Sequence, residues 1–208
     1  MIDWDSCVLW LDSRYFSESY WWDRSKYKND GVVTNAKFIE EGFYFNKTDA
    51  KIVCADHPTL KFTDAFSIET VIKVIDPVTS EWGMNIVRKQ ASYTLSIKDN
   101  PDSSYFSLKF FTWGNSSNHS FIQGSFEIKK KYHIICTFGN NIKKIIVNGE
   151  KINQITWNDT IRITNYDVVL GGQVGDSYWY GGYMYLVRLY SKGLSEDEAK
   201  ILATMEGF

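Results

Sequence analysis

The sequence predicts an all-β chain, an antiparallel two-sheet β-sandwich with one short C-terminal helix. Three observations carry that prediction. Apolar residues recur with a period of two rather than 3.6 along most of the chain. Turn-forming residues break these runs at short intervals. Only near the C-terminus does a helix start signal precede an apolar stripe of helical spacing. A chain of 208 residues that is 44% hydrophobic can bury a substantial core. It has three prolines, no Pro/Ser-rich linker and no repeat of fixed period, so residues 1–208 are expected to form a single domain.

Taken in order, strands are expected at "CVLWLD" (7–12), "GFYFN" (42–46) and "KIVCA" (51–55). The next, "SIETVIKV" (67–74), sets Ile68, Thr70, Ile72 and Val74 against Ser67, Glu69, Val71 and Lys73, as a half-buried strand does. "MNIVRK" (84–89), "YTLSI" (93–97), "YFSLKFF" (105–111) and "YHIICTF" (132–138) follow. In "KIIVNGEKI" (144–152), Asn148-Gly149 marks a tight hairpin, because such a turn needs positive φ. "DVVLGG" (167–172) and "GYMYLVRLY" (182–190) complete the set. In the last of these, strict alternation sends Tyr183, Tyr185, Val187 and Leu189 one way and Met184, Leu186, Arg188 and Tyr190 the other. Both faces are largely apolar, which predicts cover on both sides by the helix or by another chain. Ser195 with Glu198 forms a capping box, and Leu194, Ala199 and Leu202 give the helix a docking side.

Composition excludes several classes of function. A net charge of -2 leaves no electrostatic footprint for nucleic acid or an anionic membrane, and Lys129-Lys130-Lys131 reads as a solvated turn or strand edge. No apolar run is long enough to span a membrane. The opening "MIDWDSCVLWLD" lacks a basic region and a long apolar stretch, so a soluble chain without a signal peptide is expected. Asn46, Asn115, Asn118 and Asn158 lie in Asn-x-Ser/Thr sequences that matter only for a secreted eukaryotic protein. Cys7, Cys54 and Cys136 are odd in number, widely spaced and outside any ligand motif, so buried free thiols are expected.

Several stretches together resemble the concanavalin A-like jelly-roll modules of the laminin G-like kind. The most specific is "YHIICTFGNNIKKIIVNGEKI", an aromatic-His strand, a short loop and a strand ending in an Asn-Gly turn. "DVVLGGQVGDSYWYGGYMYLVRLYSKGLSEDEAKIL" is similar to the family's closing pattern: a strand into Gly-Gly, a variable loop, a strand ending "VRLY", then Leu-Ser before a short helix. "WDRSKYKNDG" and "GFYFNKTDAKIVCADHPTLKFTDAFSIETVIK" resemble its earlier turns and strands in the same order. The resemblance implies a jelly roll with one gently concave sheet. It also implies a module that binds glycans or proteins, sometimes holds a structural calcium ion and in some branches is a glycosidase. His133 falls where the resembled family carries its aromatic-His pair, which implies a structural role.

The residues favour binding over catalysis. A retaining glycosidase needs two neighbouring carboxylates, and no strand carries acids at the alternating positions that would supply them. Glu69 stands alone in "SIETV", and Glu127 is followed by lysines. Neither His57, beside Pro58, nor His119, in a polar "NSSNHS" loop, has a nucleophile pointing at it. Calcium needs several oxygens from turns. Asn46 and Asp49 match the family's acidic turn, but Lys47 and Ala50 stand where Gly and a second Asp are common. Tyr185-Leu186 likewise stands where Asp-Glu often precedes "VR". No cofactor is required, and a solvated Asx turn is the alternative to a calcium site at Asn46 and Asp49.

Sugar recognition uses aromatic faces beside hydrogen-bonding side chains. Aromatics at 16% exceed what a core needs, and loop positions are the better candidates for the surplus. The candidate ligand-binding residues are therefore Trp82, Trp113, Trp157, Tyr178 and Trp179. The expected function is a non-catalytic, lectin-like recognition module whose partner is a glycan or a glycosylated surface. The alternative is a structural protein of a virus particle that works through protein contacts, as a homo-oligomer or with an assembly partner.

Overall fold

The computed structural model describes residues 1–76, 83–99, 104–173 and 178–208. Sixteen strands follow in order among them. They are β1 (Cys7–Phe16), β2 (Tyr20–Asp23), β3 (Gly31–Thr34), β4 (Lys37–Ile39), β5 (Gly42–Asn46), β6 (Lys51–Cys54), β7 (Phe66–Val74) and β8 (Met84–Lys89). Then come β9 (Tyr93–Asp99), β10 (Tyr105–Trp113), β11 (Asn118–Glu127), β12 (Lys131–Gly139), β13 (Ile142–Val147), β14 (Glu150–Thr156), β15 (Val168–Leu170) and β16 (Gly181–Tyr190). The helix α1 (Glu196–Met205) follows β16.

All pairings between strands are antiparallel, along the path β11-β10-β9-β8-β15-β6-β3-β2-β1-β16-β7-β12-β13-β14. β5 takes over from β1 along one edge of β16, pairing with Gly181 to Met184 where β1 pairs with Leu186 to Tyr190. Because β2 pairs with both β1 and β3, hydrogen bonding passes from one layer to the other. The two sheets of the predicted sandwich are thus halves of one curved, near-closed jelly-roll sheet. The core between them draws Leu9 and Leu11 from β1, Ile68 and Ile72 from β7, Leu95 from β9, Phe110 from β10 and Val187 from β16.

Local chemistry fixes several elements. Asn148 and Gly149 adopt φ of 51° and 80°, the turn that joins β13 to β14. Asp23 is buried and accepts from the backbone N–H of Trp10, Ser25 and Asn29, which binds the turn after β2 to β1. Lys129, with φ of 64°, and Lys130 form the turn before β12. All three cysteines are free and buried. β2, β3, β4 and β11 are short or polar elements that the period-two reading passed over, and His119 lies in β11 rather than in a loop.

β16 departs from strict alternation. Its register shifts between Met184 and Leu186, so Met184, Val187 and Leu189 enter the main core while Tyr183 and Tyr185 stack on the same side, 6.2 Å apart. The Tyr190 end of its second face is covered within the chain. Tyr190 packs with Ile2, Cys7, Ile135, Ile146, Leu194, Ala199 and Leu202, seating α1 against β1, β12 and β13. Ser195 Oγ accepts from Glu198 N–H and Glu198 returns a bond to Ser195 N–H, so the capping box is formed.

Beneath α1 lies a buried charge network. Glu69 Oε1 accepts from His133 Nε2 at 2.8 Å and from Arg188 Nη1 at 2.9 Å, and Glu69 Oε2 accepts from the Tyr190 hydroxyl at 2.6 Å. Arg188 also donates to Glu206 Oε1 at 2.7 Å, just past the end of the helix. Burial alone would raise the Glu69 carboxyl, but the His133 hydrogen bond and the Arg188 charge override it and hold the group below its usual range.

Candidate functional site

The site is a groove of about 270 Å³ on the outer face of β8, β9 and β10. Alternation along β10 sends Phe106, Leu108 and Phe110 into the core and turns Lys109, Phe111 and Trp113 outward. Thr94 and Ser96 point out of β9 between core residues Tyr93, Leu95 and Ile97 in the same way. Strand register then arranges the floor in two rows. Asn85, Ser96 and Lys109 lie side by side, and so do Arg88, Thr94 and Phe111. A bulge in β8 between Asn85 and Val87 brings both Asn85 and Arg88 onto this face.

Small hydroxyl residues at the centre make the depression, and aromatics form its wall. Phe111 and Trp113 pack with ring centroids 4.3 Å apart. The Arg88 guanidinium lies 5.4 Å from the Trp113 ring and the Lys109 ammonium 5.5 Å from the Phe111 ring, both within cation–π range. The opposite side is closed by Tyr178, whose carbonyl accepts from Asn85 N–H at 3.1 Å.

The floor is buried yet incompletely bonded. Asn85 and Thr94 are each 3% exposed, and neither Asn85 Nδ2 nor Thr94 Oγ1 has a hydrogen-bond partner. Such atoms cost stability unless something satisfies them. Lys109 is held below the usual lysine range by burial first, then by the charges of Lys98 and Arg88. The groove can therefore receive a ring against Phe111 and Trp113 while offering amide, hydroxyl and cationic hydrogen bonds below it.

Trp113 and Tyr178, two of the five aromatic candidates, meet in this groove. Trp113 is the last residue of β10 rather than part of a loop. Trp179 is half-buried and lies over Gly172, where any Cβ would meet its indole ring. Trp157 is 6% exposed and belongs to the core, packed on Phe138 with its Nε1–H directed at Ser117 Oγ, so it offers no open face. Trp82 lies outside the described residues. Sequence reasoning missed Asn85, Arg88, Thr94, Ser96, Lys109 and Phe111. The available signal was Lys109, Phe111 and Trp113 on the solvent-facing phase of a strand whose other phase is apolar from Phe106 to Phe110 and ends in Thr112.

The turn predicted as a calcium candidate is hydrogen-bonded internally and to Asn35. Asn46 Oδ1 accepts from the backbone N–H of Thr48, Asp49 and Ala50. The Asp49 carboxylate accepts from the side-chain amides of Asn46 and Asn35, both at 2.7 Å. The Asn46 oxygen is thus bonded by the turn's own backbone N–H groups, as in an Asx turn, and the Asp49 carboxylate by Asn46 and by Asn35 from the β3–β4 connection. Among the described residues no three His, Cys, Asp or Glu side chains gather as metal ligands.

A larger cavity of about 480 Å³ runs between Asp64, Asn140, Lys144, Asp159 and Ser195. It has no aromatic wall, and Asp159 is engaged with the backbone N–H of Ser116, Ser117 and Thr160. No helix among the described residues is long and apolar enough to cross a membrane.

A jelly-roll sheet with an aromatic and polar groove on one outer face defines the class of β-sandwich shared by lectins and glucanases. The chain belongs to the concanavalin A-like lectin/glucanase superfamily, whose laminin G-like family model matches residues 46–200. No curated protein matches it in sequence. Among solved structures it is similar to the binding domain of Paraclostridial Mosquitocidal Protein 1, with a TM-score of 0.75, 15% identity and coverage of 98% of this chain and 53% of that one. It is also similar to the binding domain of botulinum neurotoxin serotype D, with a TM-score of 0.74, 18% identity and coverage of 98% and 51%. A Trypanosoma rangeli sialidase gives 0.69, 17% identity and coverage of 97% and 33%. The chain thus spans about half the length of the toxin binding domains and a third of the sialidase.

Proposed function

We propose that the chain is a non-catalytic recognition module that binds carbohydrate in the groove of β8, β9 and β10. One observation carries the reading: buried, unpartnered hydrogen-bonding atoms of Asn85 and Thr94 sit beside the Phe111 and Trp113 rings. A pyranose matches that combination, with an apolar C–H face for the rings and hydroxyls for the floor. The similar toxin structures are both described as binding domains, which agrees with a module that recognises rather than reacts. Among the described residues no Asp or Glu lines the groove, which gives no support to glycoside hydrolysis there.

The assembly alternative drew one of its hints from a second apolar face of β16 that another chain could cover. α1 and the segment before β1 cover the Tyr190 end of that face, so that end no longer favours it. The test is an oligosaccharide array followed by titration of hits through intrinsic tryptophan fluorescence, with Trp113→Ala as the control. Loss of a stacking ring should weaken binding by roughly tenfold or more. An array without hits, or hits that Trp113→Ala leaves unchanged, would overturn the reading.

A further inference from the structure

We infer that β11 is a proton-sensitive edge of the sheet, which loosens from the interior when Lys143 and His119 take up protons. β11 ends the strand path and is paired with β10 alone, so contacts across the interior decide how firmly it is held. Lys143 makes such contacts, reaching from β13, near the far end of the path, to β10 and β11. Its Nζ donates to the Phe110 carbonyl, the Thr112 hydroxyl and the His119 carbonyl, and lies 3.3 Å from His119 Nδ1. The fastening thus sets nitrogen against nitrogen. His119 Nδ1 accepts from Lys143 only while it carries no proton of its own, and two charged groups at this distance repel.

The surroundings do not offset that charge. Among the described residues no Asp or Glu pairs with Lys143, and the other titratable group acting on it is Cys136 of β12, whose thiol burial keeps protonated. Its remaining neighbours are the rings of Phe110, at 4.5 Å, and Trp157, at 5.4 Å, which do not titrate. Burial lowers Lys143 to about 7, and burial first, then the Lys143 charge, lowers His119 below its ordinary 6.5. Opening of β11 to water restores both ordinary values, so the opened form holds more protons and acid favours it. Lys143 acts between about pH 7 and 10.5, and His119 below 6.5. The same edge supports the groove. The wall residues Phe111 and Trp113 alternate on β10 with Phe110 and Thr112, and pair with Ser120 and Asn118 of β11. A loosened β11 therefore leaves the wall strand as an unsupported edge.

The experiment is amide hydrogen exchange of wild type, Lys143→Met and His119→Gln from about pH 5.5 to 9, each rate divided by that of an unfolded chain at the same pH. Amides of β11 and of its partners in β10 should exchange faster than those of β7 and β12. Their protection should rise about tenfold per pH unit between pH 7 and 9, the slope for one proton released on closing. Lys143→Met should abolish that rise and increase protection at pH 7. His119→Gln should keep the rise and remove the further loss of protection below about pH 6.5. Protection of β11 that ignores pH, or that follows pH equally in Lys143→Met, would overturn the inference. So would exchange of β11 no faster than that of β7 and β12, because the edge would then open only with the whole fold.

Discussion

Lys143 in β13 points into the protein, and its fully buried ammonium is the feature most open to quantitative test. Its Nζ donates to the Phe110 carbonyl at 3.1 Å, Thr112 Oγ1 at 3.2 Å and the His119 carbonyl at 3.3 Å, with no carboxylate among the partners its Nζ bonds. Burial drives its pKa from 10.5 down to about 7, with a small opposing effect from Cys136. The gap corresponds to about 5 kcal/mol at 1.36 kcal/mol per pH unit, and local opening towards water reduces this to an expected 2–5 kcal/mol. The sign follows from proton counting. Between about pH 7 and 10.5 the unfolded chain holds the proton and the folded one does not, so stability rises with pH across that window. Below about pH 7 both states are charged and the penalty is constant. Lys143→Met keeps the bulk and removes the charge. Urea unfolding of both proteins from pH 6 to 10 should show the variant more stable by about 2–5 kcal/mol at the acid end, with the difference closing as pH rises. A difference independent of pH would refute the depressed lysine, and a less stable variant at pH 6 would refute the desolvation argument itself.

Two further perturbations probe other parts of the molecule. Glu69→Gln leaves Arg188 buried without its full counter-charge and should cost about 3 kcal/mol in thermal unfolding followed by circular dichroism, whereas a change below about 1 kcal/mol would mean that the network is slack. Adding calcium or a chelator should leave the melting temperature unchanged, because the Asn46 and Asp49 oxygens already accept hydrogen bonds from the turn and from Asn35. A calcium-dependent rise removed by Asp49→Ala would overturn that.

The fold was legible in the sequence wherever one physical signal dominated. Central strands such as β7 and β12 show it as apolar alternation, the β13–β14 turn as Asn-Gly, and α1 as its capping box. The four strands passed over lack that signal. β2, β3 and β4 have three or four residues each, and β11 is largely exposed, so its pattern carries little apolar contrast. The bulge in β16 was invisible for a related reason, since Tyr185 and Leu186 suit either face and only pairing with β7 decides. For the site, the emphasis on loops misdirected the search. Trp157 follows β14 among polar neighbours yet packs inward, while Phe111 and Trp113 lie on a strand. Which residues share the floor depends on the register of β8 with β9 and β9 with β10, a relation between segments that no single stretch records.

The polar groups buried on the two outer faces of the sheet are satisfied to different degrees, which bears on where a ligand goes. Under α1 both oxygens of the buried Glu69 carboxylate are taken, by His133, Arg188 and Tyr190. On that face Arg188 Nε and Trp10 Nε1 lack a hydrogen-bond partner, while Arg188 bonds Glu69 and Glu206 through its other nitrogens. Over β8 and β9, Asn85 and Thr94 are as deeply buried, but their side-chain amide and hydroxyl meet no partner. Each such atom costs about 1–3 kcal/mol that an apolar side chain of similar size would not. A face that exchanges hydrogen bonds with a ligand recovers that cost on binding, and the neighbouring rings of Phe111 and Trp113 supply the apolar surface such a ligand needs.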